Sequence, residues 1–167
     1  MYRLLRHSPL VMSTLARAIE IARVAHAGQS DKAGAPYIGH PLRLMTAVAP
    51  EEAKIAAVLH DVVEDGPGWS LERLRREGFS DAVLRAVDAL TKRPGEDYPE
   101  FILRAAADPI AKLVKRADLV DNMDVSRLPE ITARDLQRLE KYSRALAVLD
   151  QIAGNDSGPD VSNRPSA

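Results

Sequence analysis

The feature that most constrains this chain is a helical spacing of apolar residues that runs through most of it, with no alternating stretch long enough to read as a strand. Between Ser13 and about Ala27, Leu15, Ile19, Ala22 and His26 recur three or four positions apart, on one face of an α-helix. Glycine and proline punctuate the pattern. The segment "GQSDKAGAPYIGHP" breaks it with a loop of about a dozen residues, a length often associated with function. Pro41 suits the opening of a short helix to about Val48. Pro50, Glu51 and Glu52 start the next helix, which Gly66-Pro67-Gly68 stops. Ser70 and Ser80 are N-caps for helices over about 71–77 and 81–92. After the loop "KRPGEDYP", a short helix is expected from about Glu100 to Ala107. Asp108-Pro109 begins another, to about Asp124, and Thr132 caps the last, to about Ala153. The expectation is an all-α fold, a compact non-parallel bundle of about seven or eight helices forming one domain over residues 1–153. Residues 154–167, rich in Gly, Ser, Asn and Pro, suit a disordered tail.

Composition matters for what it excludes. The 167 residues suffice for one buried core, and a net charge of −1 gives no drive toward nucleic acid or a membrane surface. No apolar run approaches the roughly 18 residues of a membrane span, and the N-terminal stretch lacks the uninterrupted apolar core of a signal peptide. Cysteine is absent, so any metal must be held by His, Asp or Glu. A soluble cytoplasmic protein is expected from composition.

One segment carries unusual charge. "AAVLHDVVEDGPG", residues 56–68, places His60, Asp61, Glu64 and Asp65 together with no nearby Lys or Arg. The bland reading is the solvated face of a helix whose apolar stripe is Ile55, Leu59 and Val62. Against it, Asp61 and Asp65 are like charges one turn apart at a helix C-terminal end, where the dipole also disfavours anions. Each penalty is only about 0.2–1 kcal/mol, but all share a sign, and a bound divalent cation would reverse them together. A second site lies in "PIAKLVKRADLVDNMD". There Ile110, Leu113, Val114, Ala117 and Val120 form the expected buried stripe, with Asp118 at its edge and Asp121 within it. A carboxylate so placed needs a partner, either a salt bridge to a residue such as Lys115 or Arg116, or a metal shared with His60 and Asp61. His40, before a proline-started helix, is a third candidate, whereas His26 on an apolar face reads as a core histidine. Two imidazoles and two carboxylates suit a borderline-to-hard ion such as manganese.

These blocks resemble a known family. "AHAGQ", "GAPYIGHP", "AAVLHDVVEDG", "ALTK" and "KLVKRADLVDNM", in that order over about residues 25–125, are similar to the HD-domain metal-dependent phosphohydrolases. The finer likeness is to the hydrolase domain of RelA/SpoT-type proteins and the small alarmone hydrolases. The chain is too short for the synthetase domain of the long members, so a hydrolase-only protein is expected. The resemblance implies that His40, His60, Asp61 and Asp118 ligate one Mn²⁺ per chain, and that Glu64 and Asp65 act on the hydrolytic water. Lys32 then matches a loop lysine near the nucleotide, and Asn122 an asparagine that contacts the base. The implied reaction removes the 3′-pyrophosphate of guanosine tetra- or pentaphosphate, and the resemblance thus implies a monomer or homodimer acting on a small molecule.

Departures from the pattern bear on the substrate. Asp31 and Ala33 stand where the family commonly has arginine and serine, and Leu119 and Asp121 where it has arginine and histidine. Loss of a guanidinium platform and gain of an acid beside a polyanion suggest altered base preference, with (p)ppApp one option. The competing readings are a broader nucleotide or NADPH phosphomonoesterase and a nucleotide sensor without turnover.

Overall fold

A computed structural model describes residues 13–156. The described chain is all-α, with one isolated backbone bridge, Ser30 to Pro36, pinning the ends of the long loop. Its helices are α1 (Leu15–Ala25), α2 (Gly39–Ala47), α3 (Glu51–Leu59), α4 (Val62–Asp65) and α5 (Leu71–Arg76), then α6 (Asp81–Leu90), α7 (Tyr98–Ala107), α8 (Pro109–Met123) and α9 (Ala133–Asp156). The predicted caps operate: the side chains of Ser70, Ser80, Asp108 and Thr132 each accept a backbone N–H of the following first turn, and Thr14 does the same for α1. α7 starts earlier than expected because Asp97 and Glu100 close a reciprocal capping box around Pro99. The predicted tail lies, from residue 157 onward, outside the described residues, and α9 extends past its expected end at Ala153. No helix among the described residues is long and apolar enough to cross a membrane.

α3 is the hub and packs against α1, α2, α6 and α8. Ala53, Ala56, Ala57, Val58 and Leu59 are all fully buried, so the helix is covered on every side rather than along one stripe. Small alanines let four neighbours approach it closely. The single helix expected from Pro50 to Gly66 is interrupted at His60 and Asp61, and α4 is one turn long. Asp61 adopts φ −101° and ψ −3°, off the helical centre, although the next turn resumes with Asp65 N–H bonded to the Asp61 carbonyl. That step turns the two acids of α4 outward while His60 stays inside.

The stripe predicted for α8 is displaced. Leu113 and Val120 are exposed, and the buried face is Ala111, Val114, Lys115, Asp118 and Leu119. That face carries one cation and one anion, Lys115 Nζ lying 2.7 Å from Asp118 Oδ2, so the true seam looked polar. Leu119 joins Ile102, Ala106, Ala145 and Leu149 in a second core cluster between α7, α8 and α9. α8 thus lies between two cores, with Asp118 facing inward.

Candidate metal centre

His40 comes from the first turn of α2 and His60 from the C-cap of α3; both are buried. His60 Nδ1 lies 2.8 Å from the Ala57 carbonyl oxygen, which can only accept, so Nδ1 carries the proton. Nε2 is left 2.8 Å from Asp61 Oδ2. His40 Nδ1 is held in the same way, 2.8 Å from Asp121 Oδ2, and its Nε2 lies 3.3 Å from Asp118 Oδ1. Both rings, 5.2 Å apart and roughly edge to face, therefore present Nε2 to one place. One donor atom from each of His40, His60 and Asp61 lies within 4.8 Å of the others.

Asp118 adjoins this triplet through His40 but is not part of the compact group. Its oxygens take Lys115 Nζ and the Asn122 side-chain amide. The salt bridge and the metal site, set against each other as readings of Asp118, are thus compatible: the lysine compensates a buried charge that still reaches His40. Asn122 was expected at the base. It lines the adjoining hollow, while its NH₂ bonds the carboxylate and backbone carbonyl of Asp118, which makes it a support for that acid.

Electrostatics mark the centre as a place for positive charge. Burial opposes ionisation of His60, but the Asp61 carboxylate outweighs it and pushes the imidazole up to about 9. Burial likewise works against the Asp61 anion, yet His60 draws its carboxyl down to about 2. Asp118 is held well below the usual carboxylate range, burial being overcome by Lys115 and the two histidines. Tyr37, which donates its hydroxyl to Asp61, is raised by burial and by that carboxylate. Asp65, exposed on α4, is raised by desolvation and by Asp61. Glu64, also exposed, accepts the backbone N–H of Lys92 at 3.1 Å, tying α4 to the loop before α7.

A hollow of about 250 Å³ opens beside the centre, lined by Lys32, Tyr37, His40, Arg43, Asn122, Arg127 and Arg138 among others. Lys32 is exposed and faces the start of α9; its ammonium is pushed down by partial burial and then by Arg138. Lys141, further along α9, is lowered by burial and then by Lys115, Lys92 and Arg138. Arg138 and Lys141 were not singled out in the sequence because α9 reads there as an ordinary charged surface helix. Tyr37 sat unremarked inside the block that supplied His40.

Two of the departures from the family pattern, Asp31 and Asp121, prove to be connected. Asp121 takes the fork of Arg43 at 2.6 and 2.9 Å as well as His40. Arg127 lies 3.6 Å from Asp31, 3.4 Å from Asp121 and 3.6 Å from Asp124. Asp31 also accepts the backbone N–H groups of Ala33 and Ala35, closing the tip of the loop. The added acids line the hollow, and each is paired there with an arginine.

The donor set fits a divalent ion. Imidazole nitrogens and carboxylate oxygens are borderline-to-hard ligands, and each histidine has its outer nitrogen fixed by a carbonyl or carboxylate, the usual support for a metal-bound ring.

No family model matches the chain. It is 35% identical over 133 residues to the guanosine-3′,5′-bis(diphosphate) 3′-pyrophosphohydrolase of Aquifex aeolicus, covering 72% of this chain and 19% of that protein. A probable GTP pyrophosphokinase of Mycobacterium leprae is 38% identical over 138 residues, 74% of this chain and 17% of the relative. The bifunctional (p)ppGpp synthase/hydrolase SpoT of Escherichia coli K12 is 32% identical over 126 residues, 65% and 17% respectively. The chain thus spans less than a fifth of the length of these relatives. Over the stretch it shares with them, the chain is similar to RelA/SpoT-type proteins, in keeping with the resemblance to their hydrolase domain.

Proposed function

We propose that this domain hydrolyses the 3′-pyrophosphate of purine alarmone nucleotides, (p)ppGpp or (p)ppApp, with Mn²⁺, releasing pyrophosphate. The observation that carries the reading is the pair of buried histidines, each with Nδ1 fixed and Nε2 directed toward the carboxylates Asp61 or Asp118. His40, His60, Asp61 and Asp118 would hold the ion. When bound, it acidifies a water and polarises a phosphoryl oxygen. Relatives bear the names of opposite reactions, a pyrophosphohydrolase and a pyrophosphokinase. Hydrolysis is favoured here by Glu64 and Asp65, one turn beyond the histidine.

In the reaction, the water oxygen bonds to the phosphorus attached to the 3′ oxygen, and the bond between that phosphorus and the 3′ oxygen breaks. Asp65, whose raised carboxyl exchanges protons more readily near neutrality than an ordinary aspartate, takes the proton from water. The proton then goes to the departing 3′ oxygen. Glu64, anchored by the Lys92 N–H, orients the water. Lys32, Arg138 and Lys141 offset the phosphate charge. The Asp31–Arg127–Asp121–Arg43 network, in place of the family's loop arginine, underlies a base preference different from that of guanosine-selective relatives.

The test is a panel of ppGpp, ppApp, NADPH and plain mononucleotides with Mn²⁺, reading pyrophosphate and orthophosphate separately. Pyrophosphate from a 3′-pyrophosphorylated nucleotide is expected. Orthophosphate alone would replace this reading with a phosphomonoesterase, and binding without either product with a sensor.

A further inference from the structure

His26 looked like a core histidine, and at 3% exposure it is buried, but it is not satisfied as one. Nδ1 lies 2.8 Å from Gln29 Oε1, and the Gln29 amide nitrogen donates to the Asp65 backbone carbonyl at 3.2 Å. That second bond sets the amide: its NH₂ must face the carbonyl, so its oxygen faces the ring, and Nδ1 must carry the proton. Nε2 is then a bare acceptor, buried and without a donor in the protein. A ring kept for packing alone would avoid that cost as phenylalanine. On its other side the ring lies 4.9 Å from that of Tyr37, whose hydroxyl donates to Asp61. His26 therefore touches both lines of support: through Gln29 the backbone of Asp65, and through Tyr37 the carboxylate of Asp61. Close by, Gly66 leaves room for Ala25, so the ends of α1 and α4 are in direct contact.

We infer that His26 is a positioning residue, its Nδ1–H holding the end of α4 through Gln29 so that Asp65 is set at a fixed place relative to Asp61. This rests on the hydrolase reading, in which Asp65 takes the water's proton.

The experiment compares His26→Phe, His26→Asn and Gln29→Leu with the unaltered protein. Asparagine can place an N–H where Nδ1 stands; phenylalanine keeps only the ring. Expected for His26→Phe is a kcat lower by about tenfold to a hundredfold, the size of effect that a small misplacement produces, with KM and bound Mn²⁺ unchanged. His26→Asn should recover most of the rate, Gln29→Leu should match His26→Phe, and combining the two losses should add little. A readout independent of turnover is the ¹³C titration of the Asp65 carboxyl, which His26→Phe and Gln29→Leu should shift and His26→Asn restore. Long-range ¹H–¹⁵N spectra of the unaltered protein should show the proton on Nδ1. Full kcat in His26→Phe, equal impairment of the Phe and Asn variants, or a proton on Nε2 would overturn the inference. Should the unaltered protein turn over no nucleotide, the hydrolase reading falls instead, and the Asp65 titration still decides whether His26 sets that carboxyl.

Discussion

Two carboxylates one turn apart stand in different surroundings, and substitution can separate the roles proposed for them. Asp61 sits against His60 and Tyr37 and is held ionised, whereas Asp65 is exposed and raised. Asp65→Asn should lower turnover by about a hundredfold or more, the usual contribution of a proton-transfer group, while bound manganese stays near that of the parent. His60→Ala should lose metal and rate together, and normal metal content in that variant, measured by elemental analysis, would remove His60 from the coordinating set. The buried pair Lys115 and Asp118 supplies a third contrast. Both side chains are about nine-tenths covered, so Lys115→Met leaves a carboxylate without its compensating charge. A loss of about 3–5 kcal/mol is expected, read by denaturant unfolding with EDTA present. Manganese should restore part of it, because the ion provides the missing positive charge.

At the scale of elements, the helix boundaries were legible because they are written in local chemistry. Ser70 and Ser80 each use one oxygen on one backbone N–H and Asp108 one oxygen on two, a signal contained within four residues. The grouping of His40, His60 and Asp61 was anticipated from the charge pattern and the family resemblance, and the structure brings one donor atom of each within 4.8 Å of the others. The α8 seam was not legible. Its inner face includes Lys115 and Asp118, and their mutual neutralisation depends on burial by α3, α6, α7 and α9, which periodicity does not encode. Arg127 and Arg138 escaped notice because only the tertiary fold brings their helix and loop to the hollow. Gly66 illustrates a half-read signal. It was taken as a helix stop, but a Cβ there would collide with the Val62 carbonyl and lie 2.9 Å from the Ala25 Cβ. Gly66→Ala should therefore push α4 off α1, at a cost of about 1–3 kcal/mol. Because α4 carries Asp65 and Glu64, turnover should drop by more than the lost stability explains under conditions where the variant is fully folded. An alanine variant of parental rate would show that α4 can shift without consequence.

For the molecule as a whole, the centre joins α2, α3 and α8, so the proton on His60 and the proposed ion would each stabilise the fold and would compete for one place. The unfolded chain gives His60 its ordinary value of 6.5, and the fold raises it to about 9. Its contribution without metal is thus fully present below pH 6.5 and is lost as pH rises through about 9. Asp61 runs the other way: lowered from 3.8 to about 2, it contributes above pH 3.8 and ceases to as pH falls through about 2. A ligated His60 must be neutral, so manganese competes with the proton that the fold favours, and binding releases it. The stabilisation conferred by the ion should therefore grow between pH 6.5 and about 9, as the unliganded protein weakens and the competing proton departs. With free metal at about a hundred times its dissociation constant the gain is about 2.7 kcal/mol. Thermal melts with EDTA or with a fixed excess of Mn²⁺, taken across that range, measure the difference directly. A manganese increment that stays level or shrinks with rising pH would mean that His60 keeps its proton in the loaded protein, and the ion would then have to be held by the other three side chains.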